Sequence, residues 1–155
     1  MPSTNSKLNM SDADAKMAER AEATRIAIAH STGTSGYTKA CGINLQLLCT
    51  DGVLGVADAA QAYWLIDIVG SLKYDAAAAS YMEVAKKERR LIVCKLSVNE
   101  DRTATFTARG MDLEEDFYTQ EIPYTNFPLE EITLWYNLHD HAGSGYTVLY
   151  LPSEH

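Results

Sequence analysis

The fold of this chain is decided by residues 89–110, which read RRLIVCKLSVNEDRTATFTARG. Two runs of alternating apolar and polar side chains flank a polar turn at residues 99–102. Alternation with a period of two predicts β-strands that bury one face. The threonines and the phenylalanine of the second run add β propensity. The alternating apolar residues are Ile92, Cys94, Leu96 and Val98 in the first run and Ala104, Phe106 and Ala108 in the second.

Three more strands are predicted after this pair, at residues 117–124, 132–136 and 146–150. Pro123 has no backbone N–H to donate, so it limits the first of these strands to a sheet edge or a bulge. The second carries alternating apolar residues, and the third alternates aromatic and aliphatic residues. We expect the sheet to occupy the C-terminal half of the chain.

The residues before this sheet have helical character. Residues 13–30 are rich in good helix formers, and residues 75–88 are rich in alanine. From residue 53 to residue 72 apolar side chains recur at helical spacing. Helices first and strands afterwards predict an α+β fold, with N-terminal helices packed on one face of a C-terminal antiparallel sheet of about four to five strands.

Local signals refine the central helical segment. Thr50 or Asp51 is suited to cap its beginning, and Gly55 and Gly70 are points where the segment could split or end. We expect Trp64 to pack against the strand face that bears the buried residues of 92–98. Ser11 is placed to cap the first helix in the same way.

The chain has the composition of one soluble domain. Its 155 residues are 46% hydrophobic, which suffices for a core without metal or disulfide support. Residues 1–10 are polar and predicted to be disordered, which leaves residues 11–155 as a single α+β domain. The longest apolar stretches are far too short to cross a bilayer, and no signal peptide pattern is present. We therefore expect a cytoplasmic protein.

Charge is distributed very unevenly along the chain. The net charge is -8, and residues 100–155 contain eleven acidic side chains but only Arg102 and Arg109 as basic ones. Nucleic-acid binding needs clustered Lys and Arg, so direct contact with nucleic acid is not expected. Two interpretations stay open for the acidic side chains: a solvated face that maintains solubility, or a surface that binds a partner protein with a basic surface. The candidate binding residues are Asp112, Glu114, Glu115, Asp116, Glu130 and Glu131.

No motif in the chain specifies a catalytic site or a cofactor. His139 and His141 flank Asp140 at a spacing that suits metal ligands, but zinc needs three or four protein ligands, so we expect surface histidines and no metal. Asp67 lies within an apolar run, and we expect it to bond a backbone group or a tyrosine. Asp51 is explained by helix capping. Nucleophile elbows and phosphate-binding glycine loops are absent from the sequence.

The three cysteines also give no sign of chemistry. They form no CxxC pair, and their number is odd, so we expect reduced, buried thiols that behave as small hydrophobic residues. Metal or redox use of these residues is the alternative.

The chain resembles a known family, domain of unknown function 6876, from about Thr32 to His155. Four segments in the expected order carry the resemblance: Leu47–Val53, Ala62–Asp67, Ile122–Ile132 and Leu151–Glu154. Members of that family are small proteins of bacteria, phages and mobile elements. Two departures from the family pattern are Asn126 in place of Asp and Cys94 in place of Trp.

The resemblance implies an origin rather than a mechanism. Together with the acidic surface, it leads us to expect a non-catalytic phage or mobile-element protein that binds and inhibits a host protein complex, such as a CRISPR effector. Because Asn126 replaces the usual Asp of the family, a catalytic carboxylate at that position would be missing here. The alternatives are a small enzyme that uses Asp51 or Asp67 with His139 or His141, and a homo-oligomeric accessory protein.

Overall fold

The structure is a computed structural model that describes residues 12–31, 37–39, 46–139 and 145–154. Within those ranges the helices are α1 (Asp12–Ala29), α2 (Asp51–Ala60), α3 (Tyr63–Ser71) and α4 (Ala76–Lys87), with 3₁₀ turns at Leu72–Tyr74 and Pro152–Glu154. The strands are β1 (Tyr37–Lys39), β2 (Leu47–Thr50), β3 (Ile92–Val98), β4 (Ala104–Gly110), β5 (Asp116–Ile122), β6 (Glu131–Asn137) and β7 (Thr147–Tyr150).

The strands form one mixed sheet in the order β1-β2-β7-β6-β3-β4-β5. The α+β prediction is confirmed, with more strands than the four to five expected. All the neighbouring pairs are antiparallel except β2 and β7, which run parallel with Leu47 opposite Thr147. The additional strands β1 and β2 are three and four residues long. Such short segments give almost no alternation signal in the sequence.

Helices α2, α3 and α4 cover one face of the sheet. Val56 of α2 and Leu65 of α3 meet Ile132 and Leu134 of β6 across an apolar interface. Phe106 on β4 is fully buried in the same core. Helix α1 packs on α2 near Gly55, where an added Cβ would make an ordinary contact with the Cβ of Ala27 at 4.0 Å.

The other face of the sheet is polar over its central strands. Lys95 on β3 pairs with Glu131 on β6 at 3.0 Å, and Thr105 on β4 donates a 2.8 Å hydrogen bond to Glu121 on β5. Towards β2 and β7 the same face becomes apolar and forms a second, smaller cluster, in which the rings of Trp135 and Tyr150 meet edge to face. The two faces therefore differ in character, as expected when helices cover one side only.

Several local predictions are confirmed. Thr50 caps α2 by accepting a hydrogen bond from the backbone N–H of Val53. Helix α4 spans nearly the predicted segment, and Asp75 caps it through Ala78. Pro123 follows β5, which is the outermost strand at its side of the sheet.

The central helical segment is divided at a position that the sequence did not indicate. The chain turns at Gln61, which has a φ of 57°, and not at Gly55 or Gly70. The backbone N–H of Ala62 then donates to the carbonyl of Ala57 at 2.8 Å and closes α2. This left-handed conformation is uncommon for a residue other than glycine, which is why the break was not predicted.

The predictions for residues 1–10, Ser11, Cys41 and His141 lie outside the described residues. The extent of a single domain over residues 11–155 stays a prediction. Among the residues that the structure describes, no helix is both long and apolar enough to cross a membrane.

Candidate functional site

Four of the six predicted binding residues lie between the end of β4 and the first residue of β5, in a segment that we call the acidic loop (residues 112–116). Asp112, Glu114, Glu115 and Asp116 are all exposed. Asp112 has a φ of 71°, a left-handed conformation that Asp tolerates better than most residues and that supports the sharp turn after Gly110. The first three carboxylates form no ion pair with any residue that the structure describes.

Contacts on both sides hold the acidic loop in place. The guanidinium of Arg90 donates a 2.7 Å hydrogen bond to the carbonyl of Met111, whose own N–H donates to the carbonyl of Leu91 at 2.8 Å. At the other end, the Nε of Arg109 lies 2.9 Å from a carboxylate oxygen of Asp116. The loop is therefore fixed at its entry and at its exit.

Helix α4 adds an aromatic wall beside this loop. The rings of Tyr81 on α4 and Phe117 on β5 are stacked, with centroids 4.2 Å apart and planes 12° from parallel. Phe117 stands at a β-bulge in the β4–β5 pairing. Together with the loop, the two rings line an open depression of about 630 Å³. Its surface is acidic on one side and aromatic on the other.

The remaining predicted binding residues lie elsewhere. Glu131 is opposite Ser97 at one end of the sheet, whereas Asp116 is opposite Arg109 near the other end. The two positions are four residues apart along the strand direction, at about 3.4 Å per residue, and three strands apart across the sheet. Glu131 is also neutralised by Lys95. Glu130 and Glu131 are thus a separate pair and do not extend the acidic loop.

The candidate catalytic residues are not brought together. Asp51 follows the end of β2, whereas His139 lies beyond β6 at the opposite end of the sheet, because β6 runs antiparallel to β7 and β7 parallel to β2. Asp67 is exposed on α3 and bonds no described residue, so the prediction that it bonds a backbone group or a tyrosine was wrong. His141 lies outside the described ranges, and no three described His, Cys, Asp or Glu side chains form a group that could hold a metal ion.

The buried surroundings of the two described cysteines make their thiols unreactive. Cys49 and Cys94 are buried and unpaired, and burial raises the pKa of each thiol to about 12. A thiol with such a pKa is protonated at neutral pH and is a poor nucleophile or metal ligand. For these two residues the prediction of buried, reduced thiols is confirmed.

Sequence reasoning missed one residue that joins two of the resemblance segments. The carboxylate of Glu154 accepts hydrogen bonds from the hydroxyl of Thr50 at 2.6 Å and from the N–H groups of Gly52 and Leu151 at 3.3 and 2.9 Å. The segments Leu47–Val53 and Leu151–Glu154 are therefore in contact in the fold. The only signal for this contact in the sequence was their common membership in the resemblance.

The other two resemblance segments also meet. Trp64 contacts the fully buried ring of Phe127 edge to face, with centroids 6.5 Å apart. Arg102 fixes the loop that carries Phe127 by donating to the carbonyls of Thr125 and Phe127 at 3.1 and 2.6 Å. Each of the four shared segments therefore contributes at least one residue to contacts that hold the scaffold together.

Comparison with known proteins identifies the family of the chain. A search of curated proteins and a search of solved structures each found no match. The model of one family, described as a family of unknown function, matches residues 22–155, which extends about ten residues further toward the N-terminus than the resemblance seen in the sequence. The chain therefore belongs to the family of unknown function DUF6876.

Proposed function

We propose that this protein is a non-catalytic binding domain that docks onto a basic surface of a partner protein through the acidic loop. One observation carries the proposal: the depression of about 630 Å³ between the loop and α4 combines exposed carboxylates with a stacked aromatic pair. A surface with this combination suits Lys or Arg side chains, whose charged ends and apolar stems need different contacts.

The charge of the loop favours fast association with a basic partner. Asp112, Glu114 and Glu115 are exposed and have no ion pair with the described residues, so their field extends into solvent. Grouped charges of one sign steer a partner of opposite charge and raise the association rate. Each single pair is worth only about 0.2–1 kcal/mol, so the effect depends on several carboxylates acting together.

The rigid attachment of the loop favours affinity. Its ends are held by Arg90 and by the pair of Arg109 and Asp116. A loop that is already ordered loses little conformational entropy on binding. Leu113, which is 39% exposed, adds an apolar contact beside the carboxylates.

The docked side chain would contact the aromatic wall as well. The faces of Tyr81 and Phe117 are mutually stacked, so their edges and outer faces are what a partner meets. An Arg or Lys against an exposed ring gains about 0.5–1 kcal/mol from the cation–π interaction. This contact distinguishes docking from a loop that serves solubility alone.

A narrower form of the proposal names the partner. It holds that the protein comes from a phage or mobile element, acts in the cytoplasm of a bacterial host and inhibits a defence complex such as a CRISPR effector. Its support is the family resemblance together with an acidic surface that resembles the charge display of a phosphate backbone. Complexes that bind nucleic acid present Lys and Arg clusters, which the acidic loop would occupy.

The test compares two variants of equal charge. One replaces Asp112, Glu114, Glu115 and Asp116 with Ser; the control replaces Asp12, Asp14, Glu19 and Glu22 of α1 with Ser. Both remove four negative charges from exposed positions. Proteins captured from host lysate by the wild type are identified by mass spectrometry, and the affinity of the purified partner is then measured for all three proteins at low and high salt.

We expect the loop variant to lose more than tenfold in affinity at low salt, and the control to stay within about twofold of the wild type. Wild-type binding should weaken as salt rises. Full affinity of the loop variant would refute docking through the loop. A partner that belongs to no defence complex, or whose activity is unchanged on binding, would refute the narrower form alone. Sedimentation of each variant distinguishes loss of the partner from a change in self-association.

A further inference from the structure

A second concavity lies on the opposite flank of α4 from the acidic loop. This cleft, which we call the α4 cleft, has a volume of about 350 Å³ and lies between α4 and strands β6 and β7. Tyr81 points to β5 on one flank of the helix, whereas Met82 and Lys86 line the cleft on the other. Its volume falls within the range of roughly 300–1,000 Å³ that is typical of small-molecule sites.

The floor of the α4 cleft is polar and the wall beside it is apolar. The hydroxyl groups of Tyr136 and Thr147 lie 2.9 Å apart at the floor, and Tyr136 is only 3% exposed. Met82 on α4 and Leu138 after β6 are both buried and line the cleft. A hydroxyl pair beside an apolar wall orients a ligand that has a polar end and an apolar body.

The charge of the α4 cleft is opposite to that of the protein as a whole. Its charged lining residues are Lys73, Lys86 and Glu83, which give a local charge of about +1 in a chain whose net charge is -8. Lys86 also interacts with other groups of the protein, so the argument rests on the local charge and not on an unpaired amine. A basic cleft in an acidic protein favours entry of an anion over that of a cation.

We propose that the α4 cleft binds a small organic anion, a carboxylate or phosphate ester with an apolar body. The apolar body lies against Met82 and Leu138, the hydroxyl pair of Tyr136 and Thr147 bonds its polar groups, and the lysines face its charge. The site is independent of the acidic loop, so it stands or falls separately from the proposed partner binding.

Three probes test the ligand class by two-dimensional amide NMR on the full chain. The probes are 2-naphthoate, the neutral isostere 2-naphthamide and inorganic phosphate. We expect 2-naphthoate to give saturable shifts at Met82, Leu138 and Thr147. The amide should bind at least fivefold more weakly, because it lacks the charge. Phosphate should give no saturable shift at these residues, because it lacks the apolar body.

Single substitutions of the charged residues that line the α4 cleft test which of them contribute to ligand binding. Lys73→Gln and Lys86→Gln should each weaken binding of 2-naphthoate about two- to fivefold, the effect of one exposed charge. Glu83→Gln should strengthen it by a similar factor, since it removes a like charge. Lys87→Gln is the matched control, because this neighbour on the same helix is exposed and does not line the cleft.

Three results would overturn the proposal. One is the absence of saturable 2-naphthoate binding up to about 1 mM, the concentration that corresponds to a binding free energy of about -4 kcal/mol. The second is equal affinity for 2-naphthamide, which would show that charge plays no part. The third is a loss in Lys87→Gln as large as in Lys86→Gln, which would indicate attraction to the protein surface in general.

Discussion

The carboxylate of Glu154 lies 2.6 Å from the hydroxyl of Thr50, although 104 positions separate the two residues in the chain. Thr50 donates to Glu154 and at the same time accepts from the N–H of Val53, so the helix cap is itself held by a carboxylate. Glu154 also places negative charge at the N-terminus of α2, where the helix dipole favours it. The start of α2 is thus stabilised by the C-terminal 3₁₀ turn.

Glu154→Gln should lower the free energy of unfolding by about 1–3 kcal/mol, since hydrogen bonds to a charged, partly buried group are lost or weakened. Urea titration followed by far-ultraviolet circular dichroism measures this change. Glu130→Gln is the control, because Glu130 is exposed, and it should change the free energy by no more than about 0.5 kcal/mol. Equal losses in the two variants would contradict a role of Glu154 in the cap.

Gly52→Ala should have an effect whose sign depends on Glu154. An added Cβ at Gly52 would lie 2.6 Å from the carboxylate carbon of Glu154, so the substitution should destabilise the wild type. In a Glu154→Ala background the space is open, and Ala should then stabilise α2 by about 0.5–1 kcal/mol over Gly. Thermal melting of the wild type, the two single variants and the double variant gives the coupling free energy between positions 52 and 154. If Gly52→Ala lowered the stability by the same amount in both backgrounds, the carboxylate of Glu154 would not restrict this position.

Phe127→Ala should destabilise the protein by about 3–5 kcal/mol, because the ring is fully buried. Trp64→Ala should cost less, since Trp64 is only half-buried and meets Phe127 through one edge. A double-mutant cycle should give a coupling of about 0.5–1.5 kcal/mol for the pair. An unchanged melting temperature in Trp64→Ala would show that α3 is not anchored by this ring.

The free energy of unfolding should fall as the pH rises above about 9. The pKa of Cys94 is about 12 in the folded protein, against 9.0 for an ordinary thiol. Above pH 9.0 the unfolded chain loses thiol protons that the folded chain retains, so stability decreases toward the folded pKa. Cys49 contributes in the same direction.

Urea titrations between pH 9.0 and 10.0 measure this slope, to which Tyr63 and Tyr150 also contribute because their pKa values are raised in the folded protein. Comparison of the wild type with a variant that lacks this thiol isolates the part that Cys94 contributes. Cys94→Ala should show a shallower decrease than the wild type. The packing that Cys94→Ala loses lowers the free energy of unfolding by the same amount at every pH, so it does not change the slope. A slope as steep as that of the wild type would show that this thiol does not retain its proton in the folded state.

Much of the fold could be predicted because its signals are local. The alternation in β3 and β4, the cap at Thr50 and the edge position implied by Pro123 each depend on a few adjacent residues. The division of the central helix could not be predicted, since Gln61 adopts a left-handed conformation that its side chain does not favour.

The arrangement of the candidate site depends instead on how strands that are far apart in the sequence pair in the sheet. Whether Glu131 lies near Asp116 is decided by the register of four strands, which no local pattern in the sequence specifies. The contact of Tyr81 with Phe117 likewise depends on a bulge in β5 and on the position of α4. Sequence reasoning could identify the acidic residues but not the concave surface that part of them forms.

The parallel pairing of β2 with β7 also determines when the protein can complete its fold during synthesis. Residues 47–50 leave the ribosome long before residues 147–150, which are the strand that joins them to the rest of the sheet. Until then β2 has no place in the sheet, and the edge of β6 that β7 will cover is open to other nascent chains. A chaperone that binds extended apolar segments is therefore most needed for this protein in the interval before residues 147–150 emerge.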